Sequence, residues 1–101
     1  MTSSLLHIIN KSPSHRCFSD CLRTCSKGNS IILIEDGVYA TAQWSSQFLA
    51  TTKDQSLNVY ALEADMRARG LSTQHQNGLN IIDDKGFVEL TLSHSKSQSW
   101  F

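Results

Sequence analysis

The stretch that decides the fold class of this 101-residue chain is residues 31–42, which read Ile-Ile-Leu-Ile-Glu-Asp-Gly-Val-Tyr-Ala-Thr-Ala. An unbroken, largely β-branched apolar run stops at the acidic pair Glu35 and Asp36, and Gly37 then leads into a segment of helical character. An apolar run without alternation is typical of a strand covered on both faces, as in a parallel sheet between helices. Sites in open α/β sheets lie at the carboxyl ends of such strands. The stretch therefore predicts an α/β fold and a first place to look for chemistry.

The remainder of the chain alternates in the same way between short apolar strands and helices. Strands are predicted at residues 5–10, 30–35, 57–62 and 79–82. Helices are predicted from Ser12-Pro13 to about residue 27 with Gly28 as the stop, from about residue 37 to 49 with Asp36 as the cap, and over residues 63–69 before Gly70. Residues 83–94 fit either a strand, in which Val88, Leu90 and Leu92 alternate, or a helix, and we favour the helix because it completes the alternating pattern. Residues 51–56 and 72–78 are predicted as loops, and the polar tail 95–101 is given no element. Because strands that alternate with helices form right-handed β-α-β units, we expect a small three-layer, Rossmann-like α/β domain with a mainly parallel sheet.

Size and charge limit the function classes. A chain of 101 residues has room for one core, so we expect a single domain over residues 1–101. Nine Lys and Arg residues balance nine Asp and Glu residues, whereas direct nucleic-acid binding needs a basic excess. No apolar segment approaches the roughly 20 residues that span a bilayer, and Met1-Thr2-Ser3-Ser4 lacks the basic start of a secretory signal. We expect a soluble cytoplasmic protein.

Three cysteines, Cys17, Cys21 and Cys25, recur at a spacing of four on one face of the first predicted helix. Side chains at this spacing have Cβ atoms about 5–6 Å apart, while a disulfide needs about 3.5–4.5 Å. Bridging them would require the helix to break, so we expect reduced thiols. A metal site from His15, Cys17 and Cys21 is conceivable, but one face of one helix can hardly supply a tetrahedron of ligands. Since no glycine-rich phosphate-binding pattern follows any strand either, we expect no metal and no cofactor.

The candidate chemical residues each have a structural alternative. Cys17 and Cys21 could serve as nucleophiles or sulfur carriers, or simply as small apolar residues of a helix. Glu35 and Asp36 could form an acid–base pair at a strand end, or Asp36 could be only a helix cap.

The aromatic residues Trp44, Phe48 and Trp100 are candidates either for the core or for a protein interface. Aromatic side chains are favoured interface anchors. For Trp100, which stands near the chain end after a polar stretch, we favour the interface.

Five segments, in order and over nearly the whole chain, carry a family resemblance. They are Leu6-His7-Ile8-Ile9-Asn10-Lys11-Ser12-Pro13; Ile34-Glu35-Asp36-Gly37-Val38-Tyr39-Ala40; Val59-Tyr60-Ala61-Leu62-Glu63-Ala64-Asp65 with Ala68-Arg69-Gly70-Leu71; Gly86-Phe87-Val88-Glu89-Leu90-Thr91; and Gln98-Ser99-Trp100. Together, in this order and spacing, they resemble the TusB (DsrH) family of sulfur-relay proteins. The resemblance implies a DsrE-like fold.

The resemblance also implies partners and a role. TusB-type subunits assemble with TusC/DsrF-like and TusD/DsrE-like subunits into a hexamer made of two heterotrimers. That complex receives persulfide sulfur from the donor TusA and passes it through the acceptor TusE toward 2-thiouridine formation at the tRNA wobble position. Because the main persulfide cysteine of the family belongs to the TusD/DsrE partner, the expected role is assembly rather than catalysis. The resemblance implies no direct contact with nucleic acid or membrane.

Cys21 gives a second hypothesis. With Leu22 and Gly28 it matches a cysteine position of DsrH-type members, so Cys21 is a candidate persulfide carrier, with dissimilatory sulfur oxidation as the alternative pathway. The chemistry would be thiol–persulfide exchange, which needs an accessible thiolate but no metal or nucleotide. A third hypothesis is a stand-alone homo-oligomer that binds a small ligand at the strand end of Glu35 and Gly37.

Overall fold

The computed structural model describes residues 5–101, apart from the side chain of Ser45. In this range the chain forms the strands β1 Leu5–Ile9, β2 Ser30–Leu33, β3 Asn58–Leu62, β4 Leu79–Ile82 and β5 Lys96–Trp100. Its α-helices are α1 Arg16–Thr24, α2 Leu49–Asp54, α3 Glu63–Ala68 and α4 Asp84–Ser93. A 3-10 helix, Glu35–Gln43, and a π-helical turn, Trp44–Phe48, connect β2 to α2. The expectation about Met1-Thr2-Ser3-Ser4 concerns residues outside the described range.

All five strands are parallel, and their spatial order is β4-β3-β2-β1-β5. The chain adds β1 to β4 in one direction, and right-handed crossovers then place α1, α2 and α3 on the same face. The return from β4 to β5 runs the other way past β1, which places α4 on the opposite face. The core clusters agree, because Phe18 and Met66 pack on the first face and Leu90 on the second. The predicted three-layer α/β fold with a parallel sheet is confirmed.

Strand β2 explains why the apolar run at residues 31–34 does not alternate with polar residues. Ile31 and Leu33 point into the large core on the first face, while Ile32 points into the smaller core under α4. All four residues of the strand are buried. A central strand buried on both faces has no polar side to display, and this produces the continuous apolar run.

The second face of the sheet is thinly covered, since α4 is the single helix that packs on it within residues 5–101. Several apolar side chains stay only partly buried there: Ile8, Ile34, Tyr60, Ile82 and Phe87. No helix in the described range is long and apolar enough to cross a membrane.

The predictions for α3 and α4 are confirmed. Helix α3 ends before Gly70, which adopts φ +67° as the left-handed stop. Helix α4 is capped by Asp83, whose Oδ1 accepts a hydrogen bond from Gly86 N at 2.8 Å. This satisfies one of the free donors of the first turn.

Helix α1 is shorter than predicted at both ends. The Ser12-Pro13 start is wrong, because the Ser12 carbonyl accepts from His15 N at 2.9 Å in a separate turn. His15 is the cap instead, and its Nδ1 accepts from Cys17 N at 3.1 Å. At the other end Cys25 already has extended backbone (φ −61°, ψ 136°), and Gly28 at φ +85° serves the turn into β2.

The segment after β2 also departs from prediction. Asp36 is not a helix cap: the 3-10 helix begins at Glu35 with no side-chain cap, and the Asp36 carboxylate accepts from Arg69 Nε at 3.0 Å. Strand β2 ends two residues earlier than expected, at Leu33. Helix α2 occupies most of the predicted loop 51–56, because Thr52 on its inner face is buried.

Strand β5 was not predicted, since its residues Lys96–Trp100 are polar until the last. It pairs with β1 along its whole length, from Leu5 opposite Lys96 to Ile9 opposite Trp100. At the sheet edge most of its side chains are exposed, so main-chain hydrogen bonds rather than apolar burial hold it. A strand of this kind leaves no hydrophobic pattern in the sequence.

Candidate functional site: a buried cysteine–histidine cluster

Three side chains of metal-binding and nucleophilic type meet beneath helix α1. His7 lies in the middle of β1 and faces the helix, Cys21 lies on the buried face of α1, and Cys25 follows its last residue. Their ring-nitrogen and sulfur atoms lie within 4.8 Å of one another. His7 and Cys21 are 0% exposed, and Cys25 is 7% exposed. The cluster therefore sits between the sheet and the end of α1.

Hydrogen bonds from two other elements fix the His7 ring. Trp100 Nε1 donates to His7 Nδ1 at 3.0 Å, and His7 Nε2 lies 3.0 Å from Asn29 Oδ1. Because an indole nitrogen can only donate, the neutral ring carries its proton on Nε2 and donates it to Asn29. Asn29 Oδ1 also accepts from Ser26 N at 3.0 Å, which ties the turn after α1 to the same ring.

The pKa values of the two buried thiols, Cys21 and Cys25, are shifted in opposite directions. The Cys21 thiol donates to the Cys25 sulfur, and this hydrogen bond, together with burial, raises the pKa of Cys21 well above its usual value. The same hydrogen bond lowers the pKa of Cys25 to about 6; burial opposes the effect, and the nearby His7 ring reinforces it. Hydrogen bonds that favour the charged form of a group lower the pKa of an acid. Of the two buried thiols, Cys25 is therefore the one that loses its proton more readily.

His7 is coupled to the same pair. Burial lowers the pKa of His7, but the interactions of the ring with Cys25 and Asn29 outweigh burial and leave the pKa above its usual value.

As a metal-ligand set, His7, Cys21 and Cys25 have the donor types that soft ions prefer. However, both nitrogens of His7 already have partners in Trp100 and Asn29, so a metal would have to displace one of these hydrogen bonds. The arrangement suits thiol chemistry better than metal binding.

The acidic pair at the end of β2 is held apart by separate partners. Glu35 adopts φ +48°, a left-handed conformation unusual for a non-glycine residue, and its carboxylate accepts from Asn10 Nδ2 at 3.0 Å. Its backbone N donates to Asp65 Oδ2 at 2.7 Å. Asp36 instead pairs with Arg69. These contacts hold the turn against β1 and α3, and they favour a structural role over an acid–base pair.

The predicted interface aromatics lie mainly inside the chain. Trp44 is 3% exposed, and its Nε1 donates to Asn77 O at 2.8 Å. Phe48 is buried with its ring 5.4 Å from that of Phe18. Trp100 is half-buried against His7. A role of Trp44, Phe48 or Trp100 in subunit contacts stays a prediction.

Sequence reasoning singled out Cys21 but missed His7, Cys25 and Asn29. Two signals were present: a histidine in the middle of an apolar strand, and a cysteine one helical turn beyond Cys21. Neither signal shows by itself that β1 and the end of α1 meet. His15, considered earlier as a metal ligand, caps the helix instead.

The comparisons with known proteins agree with the sequence resemblance. The family model described as DsrH like protein matches residues 11–97. The protein TusB of Escherichia coli O139:H28 is 36% identical over 96 residues, which cover 95% of this chain and 100% of the relative. The chain belongs to the DsrH family. TusB of Escherichia coli K12 shows the same relation at 35% identity over 96 residues. The resemblance to the TusB (DsrH) family stated from the sequence is thus confirmed.

Solved structures agree with the fold of this DsrH-family chain. The crystal structure of the ychN protein from Escherichia coli matches with a TM-score of 0.73 at 19% identity, covering 98% of this chain and 99% of the other. At this identity the likeness shows the fold alone. The solution structure of protein Tm0979 from Thermotoga maritima matches with a TM-score of 0.65 at 25% identity, covering 88% of this chain and 92% of the other.

Proposed function

We propose that this chain is a subunit of a cytoplasmic Tus-type sulfur-relay complex, with a mainly structural role in its assembly. In it the chain joins TusC-like and TusD-like subunits in a heterohexamer that passes persulfide sulfur toward 2-thiouridine formation at the tRNA wobble position. The observation that carries the proposal is the 36% identity to TusB over 95% of this chain and all of the relative. Membership of the DsrH family supports a role in the tRNA sulfur-relay pathway.

The state of the candidate catalytic groups supports an accessory role. Glu35 and Asp36 are engaged by Asn10 and Arg69, so the strand end offers no free acid–base pair. Cys21 is fully enclosed and holds its proton. These groups maintain the fold of the subunit rather than present a catalytic surface.

Exposed apolar side chains support assembly with other subunits. Val88 is 58% exposed and Leu92 is 80% exposed, and the two lie one turn apart on α4, over the thinly covered face of the sheet. Exposed apolar groups of this kind mark protein contact sites when they cluster. We therefore assign the outer face of α4 to a contact with a TusC-like or TusD-like subunit.

The test is co-expression of the tagged chain with the TusC-like and TusD-like subunits of the same organism. We expect the three to elute together in size-exclusion chromatography at the size of a hexamer. Leu92→Asp should abolish co-elution while leaving the melting temperature of the isolated chain unchanged. Ala64→Asp, which places the same charge at an exposed position of α3, serves as the matched control and should leave co-elution intact. Separate elution of the wild-type chain would refute the proposed function.

A further inference from the structure

We propose that Cys25 is a sulfur-accepting thiol of this chain, with Cys21 as its hydrogen-bond donor and His7 as a positioning residue. The inference rests on the proposed function, because a persulfide of the relay is the sulfur donor. It also changes the site suggested by the sequence, which pointed to Cys21 as the carrier.

The geometry distinguishes the two buried thiols. Cys21 is held on the inner face of α1 with 0% exposure, whereas Cys25 comes after the helix has ended and keeps 7% exposure. The three residues that follow Cys25 form an exposed turn, residues 26–28. Of the two sulfur atoms, that of Cys25 is the one a donor can approach through movement of a surface turn.

The surroundings of Cys25 suit a nucleophile. The Cys21 thiol and the His7 ring both lie within 4.8 Å of its sulfur, and Asn29 and Trp100 hold that ring in place. The thiolate is the reactive form of cysteine, and neighbouring donors increase its fraction at neutral pH. A fixed ring keeps the stabilising group in position without reorganisation during the reaction.

The proposed transfer needs no oxidant or reductant. The Cys25 thiolate attacks the outer sulfur of a donor persulfide, R–S–SH, so that a bond forms between Cys25 Sγ and the outer sulfur. The S–S bond of the donor breaks, its electron pair leaves with the donor as R–S⁻, and the transferred sulfur keeps its proton. In the onward step an acceptor thiolate attacks that sulfur, and Cys25 leaves as a thiolate. A low pKa of the leaving thiol speeds this release.

Mass spectrometry can locate the sulfur because trypsin separates the cysteines. Cleavage after Arg16, Arg23 and Lys27 yields peptide 17–23, which holds Cys17 and Cys21, and peptide 24–27, which holds Cys25. The full chain is incubated with glutathione persulfide, alkylated and digested. We expect the mass of one additional sulfur atom on peptide 24–27. Sulfur on peptide 17–23 with peptide 24–27 unmodified would overturn the proposal, as would a disulfide linking the two peptides.

Variants test the roles within the cluster. Cys25→Ser should abolish the labelling, and Cys17→Ser is the matched control that should leave it unchanged. Cys21→Ala should keep the label on Cys25 but move the pH midpoint of labelling upward by about one to two units, the value of one charge-assisted hydrogen bond. An unchanged pH midpoint of labelling in Cys21→Ala would refute the proposed role of Cys21 as the hydrogen-bond donor to Cys25. If Cys25→Ser fails to fold, the location of sulfur in the wild-type chain still tests whether Cys25 is the acceptor.

The pH profile gives an independent measurement on the wild-type chain. Because the pKa of Cys25 is about 6, labelling should decline as the pH falls through about 6. The titratable groups that face Cys25 are Cys21 from α1 and His7 from β1. Cys21 stays protonated over this range, so the transition reports Cys25 together with His7. A midpoint at the ordinary pKa of a free cysteine would overturn the proposal.

The result is separable from that for the proposed function. Co-elution with TusC-like and TusD-like subunits without sulfur on peptide 24–27 would leave the assembly role intact and refute Cys25 as an acceptor. Sulfur on peptide 24–27 without co-elution would support Cys25 as an acceptor and refute the proposed assembly role.

Discussion

Replacing Gly37 by alanine should destabilise the protein by about 2–4 kcal/mol, because the new methyl group has no space. A Cβ at Gly37 would lie 2.5 Å from the carbonyl oxygen of Ile9 and 3.3 Å from its carbonyl carbon. Both contacts are with backbone, which cannot rotate away as a side chain can. That carbonyl is also held in place, since it accepts a hydrogen bond from Ile34 N at 3.0 Å.

The magnitude follows from two costs that the new methyl group brings together. Forcing one methyl group into a well-packed site costs about 1–3 kcal/mol. Because the methyl group also pushes the turn away from β1, the hydrogen bond from Ile34 N to Ile9 O is lost at a further cost of about 1 kcal/mol. Together these give the expected range. For a domain of this size each kcal/mol lowers the melting temperature by about 4–8 °C, so a decrease of at least about 8 °C is expected.

Urea unfolding followed by circular dichroism measures the effect. The midpoint should fall while the slope m stays unchanged, since the unfolded state and the surface exposed on unfolding remain the same. Gly28→Ala is the matched control: no heavy atom lies within 4 Å of its Cβ, and its φ of +85° costs only about 1–2 kcal/mol. A smaller loss in Gly37→Ala than in Gly28→Ala would refute the reasoning.

Three further predictions concern single contacts. Trp100→Phe keeps a ring but removes the N–H that donates to His7 Nδ1. The buried nitrogen of His7 then lacks a partner, which should lower the free energy of unfolding in urea by about 1–3 kcal/mol. An unchanged free energy of unfolding would show that water replaces the indole. Ser56→Gly should raise the free energy of unfolding by about 0.5–1 kcal/mol, because Ser56 is exposed and adopts φ +53°, a strained conformation for a residue with a side chain; a lower free energy of unfolding would contradict this strain. Asp36→Asn removes the pair with Arg69, in which the Asp36 side chain is 61% exposed, and should change the unfolding free energy by less than about 1 kcal/mol, with the difference vanishing at high salt; a salt-independent loss would count against this assignment.

Local sequence patterns predicted the elements whose formation depends on neighbouring residues. The run at residues 31–34 predicted a central buried strand because burial on both faces requires apolar residues at every position. Gly70 predicted the end of α3, because a left-handed stop is a property of one residue. The helix over residues 83–94 was favoured only because it completes the alternation of strands and helices. The order of strands and helices then predicted the parallel sheet, since short connections and right-handed crossovers leave few other topologies.

Local patterns failed where a distant contact overrides propensity. Asp36 is of a residue type that often caps helices, but its carboxylate instead accepts a hydrogen bond from Arg69, 33 residues away in sequence. Residues 96–100 have no apolar pattern, yet they form an edge strand because β1 offers unpaired backbone groups. Contacts between residues so far apart in sequence form only when the sheet is complete, and no pattern of neighbouring residues indicates them.

The sequence by itself determined the fold class and, through segments spread along the chain, the DsrH family, because both depend on the order and spacing of residues. Tertiary structure alone decided how the surroundings of the three thiols differ. Cys17, Cys21 and Cys25 are equivalent in spacing, but α1 ends before Cys25, and strand β1 brings His7 to its sulfur. The pKa of a buried thiol depends on hydrogen bonds and desolvation from all the elements packed around it, and only the folded chain brings those elements together.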